Sequence, residues 1–245
     1  MVAEDLSVSF AGKVALEGVS LAIPRGCLTA LIGPEGGGKS TLLRSFNRLN
    51  ELTPGAVTAG IVRLNGVDIH QGGVDAATVR RKVGMVFPEA TLFPRSIFDN
   101  VAFGLRASGQ VEELHNRIEE ALTTVGLWSG IADTLDARAL SLAPGDRQRL
   151  CFARTLALRP EVLLLDEPTT ALDSAATARI ESLVHGLKGD YTIVLATSGR
   201  RQAARLSELT AYLEGGELVE HGPTETIFTN PRDARTESYL TGRFR

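Results

Sequence analysis

The segment GPEGGGKS, residues 33–40, is the feature that most constrains how this chain can fold. It matches the pattern G-x-x-x-x-G-K-[ST] and follows the apolar run CLTALIG, which favours a strand buried on both faces. The residues after it, STLLRSFNRLN, predict a helix. Glycines between a strand and a helix let successive backbone N–H groups converge on phosphate oxygens. By itself the pattern leaves an ordinary glycine-rich turn as the alternative, but the strand and helix around it favour a phosphate-binding loop.

Acidic residues at a second position complete the prediction of a nucleotide site. In a phosphate loop of this kind Lys39 reaches the β- and γ-phosphates and Ser40 can ligate Mg²⁺. The stretch VLLLDE places Asp166 at the carboxyl end of a hydrophobic strand, where it can hold the magnesium shell, and Glu167 would polarise the attacking water. An Asp-Glu pair alone could be a solvated helix cap. Together with the loop, it predicts a magnesium-nucleotide site.

The candidate residues of this site fall into three groups. The metal ligands are Ser40 and Asp166, and the catalytic residue is Glu167. No separate role is assigned to Glu35, although it lies within the loop. The nucleotide-binding residues of the loop and its helix are Gly33, Pro34, Glu35, Gly36, Gly37, Gly38, Lys39, Ser40 and Thr41.

Strand and helix patterns alternate along the chain and predict an α/β fold. The opening is mostly strand, and GIVRLNGVDI carries an alternating pattern with an Asn-Gly turn signal. Residues 89–154 are predominantly helical; in VEELHNRIEEALTTVGL the apolar residues recur at spacings of three and four. Strands return at EVLLLD and TIVLA with helical stretches between them, which predicts parallel strands joined by crossover helices. The segment LTAYLEGGELVEHGP predicts a hairpin, and the periodic apolar residues of the helical stretch are Val111, Leu114, Ile118, Leu122 and Val125.

Composition narrows the classes of function. The 245 residues are 43% hydrophobic, enough for a sizeable core. A net charge of -3 with scattered cations disfavours nucleic acid as a partner. Two cysteines without metal-type spacing, and no targeting signal at the start of the sequence, predict a cytosolic compartment. No apolar run approaches the ~20 residues needed to span a bilayer, so a membrane role would require a partner protein.

With the two nucleotide motifs, the helical insertion and PTTALD after Glu167, the sequence resembles the ATP-binding subunits of ABC transporters over its whole length. Among them it is most similar to the phosphate-import subunit. The stretches that carry this resemblance are LLRSFNRLN, VRRKVGMVF, FPRSIFDNVAFG, RLCFARTLA, PEVLLLDEPTTALD, QAARLSE, GELVEHGPTETIFTNP and ESYLTGRF.

The resemblance implies a fold and a set of partners. It implies a single ABC-type nucleotide-binding domain over residues 1–245, a P-loop NTPase with a mixed-sheet core at about 1–88 and 155–245, an antiparallel β subdomain, and a helical subdomain at about 89–154. ATP and Mg²⁺ are the implied cofactors. Transmembrane permease subunits and a second ATP-binding subunit, packed head to tail, are the implied partners at the cytoplasmic face of the membrane. Phe10 matches an aromatic that stacks on adenine, with a core phenylalanine as the alternative, and Asp173 matches a dimer-interface residue, with a helix N-cap as the alternative.

Three positions depart from the family pattern. The signature Leu-Ser-Gly-Gly-Gln reads Leu142-Ala143-Pro144-Gly145-Asp146. The expected glutamine after GMVF is Pro88, and the expected switch histidine after TIVLAT is Ser198.

Each departure has a physical consequence for the site. Ala143 lacks a hydroxyl donor, Pro144 lacks a backbone N–H, and Asp146 brings a carboxylate to the anion position. Like charges about 5 Å apart repel by roughly 3 kcal/mol at an effective dielectric of about 20. Pro88 lacks an amide side chain and Ser198 does not titrate near neutrality.

These observations lead to a functional expectation with alternatives. We expect a P-loop ATPase subunit of a phosphate-type importer that binds ATP but couples slow hydrolysis to transport. The first alternative is a non-hydrolysing nucleotide-binding protein that regulates or scaffolds an assembly. The second, an ABC-type protein acting on nucleic acid, lacks a basic surface and a long coiled-coil insertion.

Overall fold

The computed structural model describes residues 1–242. Arg243 and Phe244, which end the stretch ESYLTGRF, lie outside the described residues. The strands are β1 (Val2–Phe10), β2 (Lys13–Ala22), β3 (Leu28–Ile32), β4 (Ala56–Leu64), β5 (Val67–Asp68), β6 (Val83–Val86), β7 (Val162–Asp166), β8 (Thr192–Ala196), β9 (Leu209–Glu214) and β10 (Glu217–Pro223). The α-helices are α1 (Lys39–Ser45), α2 (Ala76–Lys82), α3 (Ile97–Ala107), α4 (Leu114–Thr124), α5 (Trp128–Ile131), α6 (Pro144–Leu156), α7 (Ser174–Gly186), α8 (Arg200–Leu206), α9 (Thr224–Thr229) and α10 (Ala234–Thr241).

Two sheets organise the described part of the chain. The larger is six-stranded, in the order β10-β9-β3-β8-β7-β6. Five of its strands, β9, β3, β8, β7 and β6, run parallel to one another, and β10 pairs antiparallel with β9 at one edge. The smaller is antiparallel, in the order β2-β1-β4-β5. This arrangement confirms the predicted α/β class with a mixed sheet and an antiparallel sheet.

Both faces of the larger sheet are covered, because side chains alternate between the two sides of a strand. In β7 the buried residues Leu163 and Leu165 belong to the core shared with α3, α4, α6 and α7. Val162 and Leu164, on the opposite face, pack with residues of α1 and of the antiparallel sheet. All five residues of β3, of β7 and of β8 are buried, and the largely apolar sequences of these strands follow from this burial on two faces.

The helices between β6 and β7 occupy the region predicted to be helical. They share one continuous core with a face of the larger sheet, and α6 extends to Leu156. The prediction that Val111 belongs to the apolar stripe of a helix was wrong, since α4 begins only at Leu114. Glu113 precedes it in a left-handed conformation, with φ of 53°, and Val111 is exposed. Among the described residues, no helix is long and apolar enough to cross a bilayer.

The carboxyl ends of β3, β6, β7 and β8 lie at one edge of the parallel part of the sheet. Ligands bind at this edge in open α/β sheets, because the loops that follow parallel strands meet there. The loop of residues 33–38 follows β3, Phe87 and Pro88 follow β6, Glu167 follows β7, and Thr197 and Ser198 follow β8. The topology thus brings together segments that lie far apart in the sequence.

Candidate functional site

The loop between β3 and α1 has a backbone that requires glycine at particular points. Gly33 adopts a φ of 145°, and a Cβ added there would lie 1.9 Å from the carbonyl oxygen of Leu213. Gly38 adopts a φ of 100° immediately before α1 begins at Lys39. Both conformations are unfavourable for residues with a side chain. The glycines therefore fix a loop whose backbone can approach a ligand closely.

The Lys39 side chain is buried and closes this loop on itself. Its Nζ donates to the carbonyl oxygens of Gly33, at 2.8 Å, and Pro34, at 2.9 Å. Burial lowers the pKa of Lys39, while the carboxylates of Glu167, Asp166 and Glu35 act in the opposite direction. The ammonium group therefore lies between loop carbonyls and acidic side chains, at a position from which it can turn toward phosphate.

Ser40 and Asp166, the two predicted metal ligands, are in contact. The Ser40 hydroxyl donates to Oδ1 of Asp166 at 2.7 Å, and the Asp166 side chain is buried. A hydroxyl and one carboxylate are hard oxygen donors, and Mg²⁺ is commonly held by one or two such groups together with substrate phosphates. Within residues 1–242 no cluster of three or more His, Cys, Asp or Glu side chains suits a metal ion. The pair fits a magnesium ion that enters with a nucleotide, whose role would be to neutralise phosphate charge.

A cation not anticipated from the sequence lies beside this pair. Arg44 Nη2 is 3.8 Å from Oδ2 of Asp166, and its side chain is 44% exposed. Arg44 lies four residues after Ser40 on α1, so both side chains lie on one face of the helix. That spacing is the signal that could have identified it. The two carboxylate oxygens of Asp166 therefore have different partners, Ser40 at Oδ1 and Arg44 at Oδ2.

Glu167, the predicted catalytic residue, lies just beyond β7 in a left-handed conformation with φ of 43°. Such backbone strain in a residue other than glycine is concentrated at functional sites. The hydroxyls of Ser198, at 3.2 Å, and Thr170, at 3.3 Å, both donate to its Oε2. Ser198, predicted to stand at the switch-histidine position, therefore contacts the candidate catalytic carboxylate, a contact that the sequence did not predict.

The segment of residues 142–146, predicted to be an altered signature, leads into α6. Ala143 is the N-cap and supplies no side-chain hydrogen bond, and Pro144 is the first helical residue. Asp146 forms an ion pair with Arg149, with Oδ1 and Nη2 2.5 Å apart. Arg149 also donates to the carbonyl oxygens of residues 125 and 126, after α4. Because Arg149 compensates the charge of Asp146, the repulsion toward an anion is weaker than the roughly 3 kcal/mol expected for an unpaired carboxylate.

The first turn of α6 also contacts α7. A Cβ at Gly145 would lie 2.8 Å from Cβ of Ala176, so glycine permits the close approach of the two helices. The backbone N–H of Ala176 donates to Oδ1 of Asp173 at 2.7 Å. Asp173 thus acts as the N-cap of α7 within this chain, and its predicted role at a dimer interface stays a prediction.

Pro88, predicted to stand at the family's glutamine position, follows Phe87, whose carbonyl oxygen accepts a hydrogen bond from a buried amide. Gln148 of α6 is 1% exposed, and its Nε2 donates to the carbonyl oxygens of Phe87, at 2.9 Å, and Pro168, at 3.0 Å. This side chain joins α6 to the segments that follow β6 and β7.

Phe10, at the end of β1, is half-buried and packs against the core that the antiparallel sheet shares with α1, and its role toward adenine stays a prediction.

A glycine-rich loop that follows a parallel strand and faces a buried aspartate on a nearby strand defines the class of P-loop nucleotide-binding domains. The family model described as ABC transporter matches residues 16–170, more than half of the chain. The chain therefore belongs to the ABC transporter family.

Solved structures give the same fold. The chain is similar to cbiO1 from Clostridium perfringens, described as part of the ABC transporter complex cbiONQ, with a TM-score of 0.79 and 27% identity over 99% of this chain and 95% of that one. It is also similar to a bacterial Atm1-family ABC exporter solved with ATP bound, with a TM-score of 0.81 and 24% identity over 100% of this chain and 42% of that one. The second similarity shows the fold alone.

Proposed function

We propose that this chain is the ATP-binding subunit of an ABC importer and that it binds MgATP but hydrolyses it slowly. The observation that carries ATP binding is the phosphate loop, in which buried Lys39 lies beside the Ser40–Asp166 pair. Membership of the ABC transporter family supports ATP as the nucleotide. The similarity to cbiO1, which is part of the ABC transporter complex cbiONQ, supports assembly with other subunits, and we propose that these are membrane permease subunits and a second ATP-binding chain.

Slow hydrolysis is supported by the altered positions themselves. Transition-state charge on a transferred phosphoryl group is stabilised by donors placed around it, and removing one such donor elsewhere costs about a hundredfold or more. At the start of α6, Ala143 offers no hydroxyl and Pro144 offers no backbone N–H. Ser198 donates to Glu167 rather than supplying an imidazole. The retained Glu167 still provides a carboxylate for a water molecule.

Phosphate as the transported solute rests on the sequence stretches named above. The solved structures belong to a cbiONQ complex and to an exporter, so neither supports phosphate. The altered signature also favours a second candidate, a nucleotide-binding regulator that does not hydrolyse ATP. Steady-state phosphate release by the purified chain, alone and with its membrane partners, separates the two: release that increases with those partners supports the importer, and none in either case supports the regulator.

A contact with membrane subunits is expected in residues 93–104, where the family docks on its permease. The rings of Phe93 and Phe103 lie with centroids 4.5 Å apart, and Phe103 is 47% exposed. Arg95, two residues after Phe93, is exposed. A cysteine introduced at Arg95, with Cys27 and Cys151 replaced by serine and alanine, is expected to crosslink to a membrane protein in native membranes, as identified by mass spectrometry.

The matched control for this crosslink is Arg25→Cys in the same background. Arg25 is also exposed but lies before β3, at the opposite edge of the larger sheet. It is expected to give no such product. Capture of soluble proteins alone from Arg95→Cys, or equal capture from both positions, would contradict the proposed docking surface.

A further inference from the structure

The C-terminal helix α10 contacts the phosphate loop through one side chain. Tyr239 is 6% exposed, and its hydroxyl donates to the carbonyl oxygen of Gly33 at 3.3 Å. The two residues are 206 positions apart in the sequence. Tyr239 belongs to the stretch ESYLTGRF, which carried part of the family resemblance but had no predicted role.

The same carbonyl oxygen accepts a second hydrogen bond, from Nζ of Lys39 at 2.8 Å. A carbonyl oxygen has two lone pairs, so both donors can be accommodated at once. If Lys39 turns toward phosphates, it gives up the bond to Gly33. Gly33 is buried, and a buried carbonyl left without a donor is destabilising. The Tyr239 hydroxyl would then still donate to this carbonyl.

We propose that Tyr239 is a positioning residue for the phosphate loop: its hydroxyl holds the Gly33 carbonyl while Lys39 turns from that carbonyl to the phosphates of a bound nucleotide. The inference rests on the proposed function, because it requires that the loop binds a nucleotide. The hydrogen bond from Tyr239 lowers the free-energy cost of releasing Lys39 and keeps Gly33, the first residue of the loop, in place.

The surroundings of Tyr239 fix the direction of its hydroxyl. Its ring stacks on Tyr212 of β9, with centroids 5.0 Å apart. Arg200, the first residue of α8, lies 5.8 Å from the ring centroid, and its Nη1 donates to the carbonyl oxygens of Tyr239, at 2.7 Å, and Leu240, at 2.8 Å. Burial raises the pKa of Tyr239, so the phenol is protonated at neutral pH and can donate.

The test is Tyr239→Phe, which keeps the ring and removes only the hydroxyl. In the nucleotide-free chain Lys39 still satisfies Gly33, so Tm should fall by no more than about 2 °C. With nucleotide bound the carbonyl loses its donor, so the Kd for MgATP should rise about three- to tenfold, the usual worth of one hydrogen bond. Calorimetric titration gives the Kd, and calorimetric melting of the nucleotide-free chain gives the Tm.

The matched control is Tyr191→Phe, the same change at a half-buried tyrosine just before β8, at the opposite edge of the sheet. It should leave the Kd unchanged. A Tyr239→Phe chain with the wild-type Kd overturns the proposal, whatever its Tm, because a purely structural role would change Tm alone. Equal weakening by both variants also overturns it. If the wild-type chain binds no MgATP, the proposed function itself fails. If the wild-type chain binds MgATP and Tyr239→Phe binds it equally well, only the proposed role of Tyr239 fails.

Discussion

Replacing Lys39 with alanine is expected to weaken MgATP binding roughly 30- to 150-fold. Removing one member of a buried, hydrogen-bonded charge pair typically costs about 2 to 3 kcal/mol or more, and 1.4 kcal/mol corresponds to a factor of ten. In wild type, the binding free energy that Lys39 contributes by contacting the phosphates is partly offset, because Lys39 must give up its bonds to the carbonyls of Gly33 and Pro34. We therefore expect the loss of MgATP affinity to be smaller than for a lysine that makes no hydrogen bonds before the nucleotide binds. Wild type should bind with a micromolar to millimolar Kd.

Calorimetric titration of wild type and Lys39→Ala with MgATP measures this difference. Lys82→Ala is the matched control, since Lys82 is an exposed lysine that forms an ion pair with Glu161, with Nζ and Oε1 3.2 Å apart, outside the phosphate loop. The control should bind like wild type. Equal affinities for wild type and Lys39→Ala would contradict the assignment of the loop, and absence of binding in wild type would contradict the proposed function.

The sequence was sufficient for most of the fold because the deciding signals are local. Apolar runs such as VLLLD mark strands buried on two faces, and the turn at Asn65 and Gly66 joins β4 to β5 as predicted. The start of α4 was predicted too early because periodicity ignores the backbone. Glu113 in a left-handed conformation ends the preceding turn and separates Val111 from the helix.

The site was predictable only where its residues lie within one motif. The loop residues and Asp166 follow from the motifs and the ends of strands. The ion pair of Asp146 with Arg149 was readable from their spacing of three residues on a predicted helix, a signal that sequence reasoning did not use. The contact of Tyr239 with Gly33 was not readable, because it depends on the order of strands in the sheet and on how α10 packs on them.

ATP turnover by the unmodified chain is expected to be at least about tenfold below that of an ABC subunit with intact motifs measured in parallel, because several stabilising donors are missing together. The structure adds a second reason. Ser198 and Thr170 both donate to Oε2 of Glu167, so this one oxygen of the carboxylate already accepts two hydrogen bonds when a water molecule must be held. The losses do not add, since groups that act as a unit are redundant once one has failed. Only the direction and a lower bound are therefore predicted.

Restoring the family residues tests this explanation of slow turnover. The restored chain carries Ala143→Ser, Pro144→Gly, Asp146→Gln, Pro88→Gln and Ser198→His.

Steady-state phosphate release by the restored chain is expected to rise at least about tenfold, because donors return at the start of α6 and the Ser198 hydroxyl no longer donates to Oε2 of Glu167. Ala143→Ser also supplies a helix N-cap, worth about 1 kcal/mol, so melting must be measured beside activity to separate stability from turnover. Adding Glu167→Gln to the restored chain removes the carboxylate while keeping its shape, and it should abolish the gain without abolishing ATP binding. A restored chain that binds ATP yet gains no activity would show that slow turnover has another cause. A gain that survives Glu167→Gln would instead show that Glu167 is not the catalytic carboxylate.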